Sequence, residues 1–359
     1  MVRGFHDLKI ADIARETPEA VAIAFEIPDE LKETFAFRPG QYLTLAADID
    51  GEEARRSYSI CSAPGEATLR VGVKKVADGR FSSFVNDRLS IGDTIRVMPP
   101  EGRFTSLAGE RHDYVLIAAG SGITPMLSIA RTVLAHEPDS AITLIYGNRT
   151  TETIMFREEL EDLKDRYMRR FSLVHLLSRE TQDVALFNGR IDGARIRELS
   201  SRGLIDVLDA DGVFLCGPGE MIDDVSSTLK ELGVDEDRIR FERFTPSGDA
   251  PKARPRSVEA QKVAETGVRV EVIVDGVRRS FAMGEADATV LDAAHRAGLE
   301  LPYSCAGGMC CTCRCRVAEG QSEMAVNYSL QPWEVEAGFT LACQTRPTSQ
   351  KLVLDFDAA

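Results

Sequence analysis

At 359 residues the chain exceeds one ordinary domain, and its 43% hydrophobic and 28% charged content suits a protein that buries substantial cores. A net charge of −14 argues against general affinity for nucleic acid or anionic membranes. No apolar run reaches the length of a membrane span, and Met1–Glu16 lacks the apolar segment of a signal peptide, so a cytoplasmic protein is expected, in which clustered cysteines serve metals or catalysis rather than crosslinks.

Residues 1–108 carry short alternating runs: AVAIAFEI from Ala20, QYLTLAADI from Gln41, LRVGVKKV from Leu69 and DTIRVMP from Asp93. Turn signals such as Arg38-Pro39-Gly40 and Asp50-Gly51 divide them, which predicts an antiparallel β-barrel. From 109 to 246, apolar strands alternate with amphipathic helices: DYVLIAA, PMLSIARTVLAH, AITLIYG, TETIMFREELEDLKDRY, FSLVHLL, GVFLC and GEMIDDVSSTLKELG. That alternation predicts an α/β domain with a parallel sheet. Residues 247–266 are polar, without apolar periodicity, and read as a linker. From 267 to 359, VRVEVIVDGVRRSFAM predicts a hairpin turning at Asp275-Gly276, ATVLDAAHRAGL a short helix and KLVLDFD a last strand: a small α+β domain.

The stretch LPYSCAGGMCCTCRCR places five of the eight cysteines in eleven residues. Cys305-x4-Cys310-x2-Cys313, with Cys343 beyond, is the spacing by which plant-type ferredoxins hold a 2Fe–2S cluster. Gly307 and Gly308 stand where the backbone must pass close and aim N–H groups at sulfur. Structural zinc usually takes two separated Cys-x2-Cys knuckles, and only one such pair is present. Cys311 and Cys315 fall outside the ligand set and read as packing. Residues from about 268 onward thus resemble the plant-type ferredoxin domain, which implies a β-grasp-like fold and a metal set of Cys305, Cys310, Cys313 and Cys343.

Arg56-Ser57-Tyr58-Ser59, then Val73-Lys74, then Gly79-Arg80-Phe81-Ser82 resemble, in that order, the ferredoxin–NADP reductase family. The resemblance implies FAD held by Arg56, Ser57, Tyr58, Ser59, Val73, Lys74, Gly79, Arg80, Phe81, Ser82 and Thr124. Arg56 would pair with a phosphate, Tyr58 would stack on the isoalloxazine, Ser59 would sit near N5, and Gly79–Ser82 would cradle the pyrophosphate. Cys61 reads as barrel core. Gly120-Ser121-Gly122-Ile123-Thr124-Pro125 follows a strand and opens a helix, where glycines and the helix dipole favour a pyrophosphate. It ends in Pro rather than Gly, and AITLIYGNRT lacks the acidic residue that binds a ribose 2′-hydroxyl. Both departures match the reductase family. By the same resemblance the nicotinamide nucleotide would meet Gly120, Ser121, Gly122, Arg149, Ser178, Arg179, Arg190, Cys216 and Gly217, with Ser59 and Cys216 catalytic beside the hydride path. A 2′-phosphate dianion asks for the hydroxyl of Ser178 and the guanidinium forks of Arg179 and Arg190, so NADPH is expected over NADH.

Flavin, nucleotide and ferredoxin follow one another through FRPGQYLTL, RRSYSIC, AAGSGITPML, CGPGEMIDD and NYSLQPWEVEAGFTLACQ. This order resembles the oxygenase reductases and, within them, the family of phenylacetyl-CoA epoxidase reductase components. It implies electron flow from NADPH to FAD to 2Fe–2S to the oxygenase component of a multicomponent di-iron monooxygenase. A reductase serving a Rieske-type or steroid ring hydroxylase would have the same domains. A non-enzymatic iron–sulfur or zinc module is the rival of another class. Phe241-Glu242-Arg243-Phe244 falls where the family places residues against the flavin, and Glu319, Glu323, Glu334 and Glu336 are expected to front the partner.

Overall fold

The computed structural model describes residues 4–107, 109, 111–244 and 254–358. A barrel and a parallel sheet form one compact unit, and the residues from 254 onward make up most of the other.

The barrel is built from β1 (His6–Thr17), β2 (Ala20–Glu26), β3 (Tyr42–Ile49), β4 (Glu52–Ser59), β5 (Leu69–Lys74) and β6 (Thr94–Val97), with helix α1 (Arg80–Asp87) inserted before the last strand. Strand order is β4-β3-β6-β1-β2-β5, and a bridge from Ile60 to Val71 joins the end of β4 to β5. Alternation turns Leu8, Ile10, Val21, Ile23, Leu43, Leu45, Val71 and Val73 into one core. The twelve-residue β1 escapes a reading by alternation because its second half, from Ala11 to Glu16, is polar or exposed apart from the half-buried Ile13. Asn86 ties α1 to β5, its Nδ2 donating to the carbonyls of Val73 (3.2 Å) and Ser82 (2.9 Å).

The sheet comprises β7 (Asp113–Ala119), β8 (Ala141–Asn148), β9 (Phe171–Leu177), β10 (Gly212–Gly217) and β11 (Ile239–Arg243), all parallel, in the order β11-β10-β7-β8-β9. Helices α2 (Ile123–His136), α3 (Arg157–Arg166), α4 (Gly193–Ser201) and α5 (Gly219–Leu232) connect the strands. Strand order reverses between β7 and β10, and a crevice at the carboxyl ends of those strands is where such sheets receive ligands. The helix expected over 151–167 is shorter than its sequence pattern. Phe156 adopts a left-handed conformation (φ 56°), so α3 starts only at Arg157. The Phe156 N–H instead donates to Glu16 Oε2 at 3.0 Å. Barrel and sheet are joined by a run of shared charges: Glu159 of α3 accepts from Arg70 of β5 (2.9 and 3.0 Å) and from Arg131 of α2, which also pairs with Glu66 at 2.6 Å.

The C-terminal unit opens with α6 (Val258–Thr266), inside the stretch read as linker. Ser257 Oγ caps it by accepting from Ala260 N (3.1 Å), and Ala260, Val263 and Ala264 are buried at helical spacing. Residues 254–266 are therefore ordered packing; the rest of the expected linker, 247–253, lies outside the described residues. Then follow β12 (Val268–Val274), β13 (Val277–Met283), α7 (Val290–Arg296), β14 (Arg314–Glu319), β15 (Ser322–Met324), α8 (Pro332–Glu336), β16 (Phe339–Leu341), β17 (Thr345–Pro347) and β18 (Lys351–Asp355). Five strands pair as β13-β12-β18-β14-β16, with β12 and β18 parallel; β15 and β17 pair separately. The cysteine loop spans the gap between α7 and β14.

Candidate functional site

Tyr58 lies half-buried on β4, its ring 5.9 Å from that of Phe81 at 35°. Phe81 and Val73 are core residues, so they can shape a flavin site only through backbone and support. Gly79 opens α1, where a Cβ would strike Ser82 Oγ and the Val76 side chain. The first-turn N–H groups of α1 have no intrahelical acceptors, and the cradle therefore fits a diphosphate. Ser82 shapes this turn rather than reaching out of it: its hydroxyl accepts from Val76 N (3.2 Å) and donates to Gly79 O (3.1 Å). Arg80 is likewise committed, to Glu52 Oε2 (2.6 Å) and to the carbonyls of Ile49 and Glu52. Arg56 is exposed, Ser57 is half-buried on the same strand, and Thr124 Oγ1 donates to Ser121 O (3.0 Å).

At the switch point, the turn after β7 comes so close to β10 that a Cβ on Gly122 would collide with the Cys216 carbonyl, which only glycine avoids. Tyr146 OH pins the turn by donating to Gly120 O at 2.9 Å. Cys216 is fully buried, and burial, reinforced by Glu242, pushes its thiol pKa well up; it is a neutral thiol, not a base. Register sets Cys216 opposite Glu242 on β11 and Ala118 on β7. Ser59 Oγ, from the barrel, donates to Glu242 Oε2 at 2.8 Å. Burial pushes the Glu242 carboxyl up to about 7, opposed by the Ser59 hydrogen bond. The resemblance set the stretch Phe241–Phe244 against the flavin, and within it the structure singles out Glu242, an acid on the strand IRFER, rather than an aromatic.

Arg149, Ser178 and Arg179 come together because the ends of β8 and β9 run side by side. Ser178 N donates to Asn148 O (3.0 Å) and Arg179 N to Arg149 O (2.8 Å). Arg190 follows the bridge between Leu177 and Asn188. All three arginines are exposed, and no described carboxylate stands within ion-pair distance of them. Lys74 adds a half-buried cation whose pKa is lowered by burial and then by Arg149. Such uncompensated positive charge suits phosphates.

In the ferredoxin-like unit, Cys305 Sγ accepts from the N–H groups of Gly307 (3.3 Å) and Cys310 (3.4 Å). Its pKa is lowered by the Cys310 thiol first and by these N–H donors, so thiolate is favoured there. Ala306, Gly308 and Cys311 take left-handed conformations that wrap the loop. Gln344 Nε2 donates to Ala306 O (2.9 Å) and lies 3.6 Å from Cys343 Sγ. Among the described residues, no three His, Cys, Asp or Glu side chains converge as a single ion requires. The four thiols form two pairs instead, Cys305 with Cys310 and Cys313 with Cys343. Two adjoining pairs fit a cluster of two irons, each taking two thiolates. Cys315 is fully buried with its thiol against Thr340 O (3.9 Å), and Cys311 packs at the core's edge. Cys61 is sealed in the other unit, its pKa pushed up to about 12 by burial. Of the acids expected to front a partner, Glu334 does not: it is 1% exposed and paired to Arg314 at 3.0 Å.

Comparison with known proteins agrees with this division. Residues 7–106 match the family model of the oxidoreductase FAD-binding domain, 116–227 that of the oxidoreductase NAD-binding domain, and 272–348 that of the 2Fe-2S iron-sulfur cluster binding domain. Fold and sites thus define an oxidoreductase of the class that joins a flavin domain and a nicotinamide-nucleotide domain to an iron–sulfur domain. The chain is 46% identical to a component of the 1,2-phenylacetyl-CoA epoxidase of Escherichia coli K12, over 99% of this chain and 98% of that one. It is 34% identical to the ferredoxin reductase component of 3-ketosteroid-9-alpha-monooxygenase from Rhodococcus rhodochrous, over 97% and 96%. Among solved structures, phthalate dioxygenase reductase, a modular structure for electron transfer from pyridine nucleotides to 2Fe–2S, is 25% identical with a TM-score of 0.59, covering 98% of each chain. The chain belongs to the family of oxygenase reductase components. Among the described residues, no helix is long and apolar enough to cross a membrane.

Proposed function

We propose that the chain carries electrons from NADPH through FAD and a 2Fe–2S cluster to a di-iron oxygenase that epoxidises phenylacetyl-CoA, in the cytoplasm. The observation that carries the choice of partner is the 46% identity, over nearly the full length of both chains, to the epoxidase component from Escherichia coli. A reducing compartment is supported by eight cysteines without a disulfide among them.

When bound, flavin supplies the conversion of a two-electron hydride donor into single electrons that an iron–sulfur cluster can take. The chain's residues hold and orient the parts. Arg179, Arg190 and Ser178 receive the 2′-phosphate, and Arg149 and the turn Gly120–Gly122 receive the pyrophosphate, steadied by the opening of α2. Cys216 and Gly217 close β10 beside the nicotinamide and add no charge there. Arg56 neutralises a flavin phosphate, Lys74 adds charge beside Arg149, and Tyr58 offers its ring to the isoalloxazine. Ser59 and Glu242 form a hydrogen-bonded wall at the hydride path, and with its carboxyl pushed to about 7, Glu242 holds a proton through much of the neutral range. Cys305, Cys310, Cys313 and Cys343 supply thiolates to the irons.

Reconstitution tests this reading. Purified chain, NADPH and the phenylacetyl-CoA oxygenase component should form epoxide coupled to NADPH oxidation, at least about tenfold faster than the chain supports a Rieske-type 3-ketosteroid hydroxylase. Equal or reversed preference would assign the chain to the second partner.

A further inference from the structure

Arg314 and Glu334 form an almost sealed ion pair beside the cluster ligands. Their side chains are 10% and 1% exposed, with both Arg314 Nε and Nη2 at 3.0 Å from Glu334 Oε1. The guanidinium also lies 3.5 Å over the Phe339 ring, and Glu334 Oε2 accepts from Gln331 N at 3.0 Å, capping α8. Sealing two charges costs several kcal/mol of hydration, and an apolar pair of like volume often packs as well or better. Anchoring a five-residue helix does not by itself call for charge.

Position supplies the reason. Arg314 directly follows Cys313, and its ladder partner across β14 and β16 is Leu341, two residues before Cys343. Ala342 N donates to Cys313 O at 2.9 Å in the same corner. The arginine therefore stands at the backbone joining the two thiols of one pair, while Glu334 approaches from a different element. We propose that Arg314 and Glu334 are positioning residues that set the ease of reducing the cluster, Arg314 favouring the added electron and Glu334 cancelling most of that pull. This rests on the assignment of Cys305, Cys310, Cys313 and Cys343 to two irons. A one-electron reduction adds one negative charge, so a fixed neighbouring charge shifts its equilibrium, and sealing from water strengthens the effect.

The test measures iron and sulfide per chain, then the cluster's reduction equilibrium against redox dyes with the paramagnetic signal of the reduced cluster as readout. Native chain lacking iron and sulfide after anaerobic reconstitution would sink the ligand assignment itself. With the cluster present, Glu334→Gln should raise the equilibrium constant for reduction about tenfold, equivalent to 59 mV for one electron. Adding Arg314→Gln to Glu334→Gln should return the constant to within about twofold of native. The lone tryptophan, Trp333, which is 61% exposed on α8, reports by its emission whether that helix stays docked. An unchanged constant in Glu334→Gln, or a double variant that keeps the single variant's value, overturns the proposal. Loss of the cluster from the single but not the double variant supports a charge effect; loss from both reduces the pair to scaffolding and overturns it.

Discussion

Replacing Glu242 by Gln keeps an acceptor for the Ser59 hydroxyl and removes one titration. The carboxyl stands at about 7 in the folded chain, against an ordinary value of 4.5, because burial disfavours its charge. The folded state therefore binds this proton more tightly than the unfolded state does. The resulting stabilisation is whole below pH 4.5 and is lost as pH rises through 7. A difference of about 2.5 pH units, at 1.36 kcal/mol each, amounts to about 3 kcal/mol, most of which falls between pH 5 and pH 8. Urea denaturation of native chain and variant at both pH values, followed by circular dichroism, isolates the term, since every other titrating group is common to both. The native chain should lose about 2 to 3 kcal/mol relative to the variant on going from pH 5 to pH 8. A stability difference that does not move with pH would refute the idea that burial holds this carboxyl near neutrality.

Arg179→Ala should raise KM for NADPH at least about tenfold, the worth of a charge-assisted hydrogen bond, and KM for NADH less than about twofold; equal effects would remove Arg179 from the 2′-phosphate site. Cys311→Ser and Cys315→Ala should each leave the cluster's visible absorption intact, whereas Cys343→Ser should abolish or redraw it. A bleached Cys315→Ala chain would mean that the buried thiol is a ligand after all.

Local chemistry was the legible part. The cysteine spacing, the glycine turn before α2 and the Asp275-Gly276 hairpin each specify geometry within a few residues, and each lies where its motif implies. What the sequence hid was decided between segments far apart in the chain. Glu242 acquires its role from Ser59, which is 183 positions away. Arg80 and Ser82 sit in a recognisable phosphate motif, yet Glu52 and the motif's own backbone claim their side chains. Glu334 looks like solvated surface until Arg314 covers it. Helix α6 hid because its buried face is mostly alanine, which adds little to an apolar periodicity among charged neighbours.

The carboxylate of Glu159, shared between Arg70 and Arg131, has a consequence for speed. Flavin and nicotinamide would be carried on opposite banks of the seam that this carboxylate stitches, with Arg131 tied again to Glu66. Those side chains are only 20–27% exposed, so salt screens them weakly. The gap a hydride must cross would thereby be set when the chain folds rather than when the dinucleotide arrives. The ordering cost of alignment would then fall on folding, and each arriving nucleotide would meet a track already gauged.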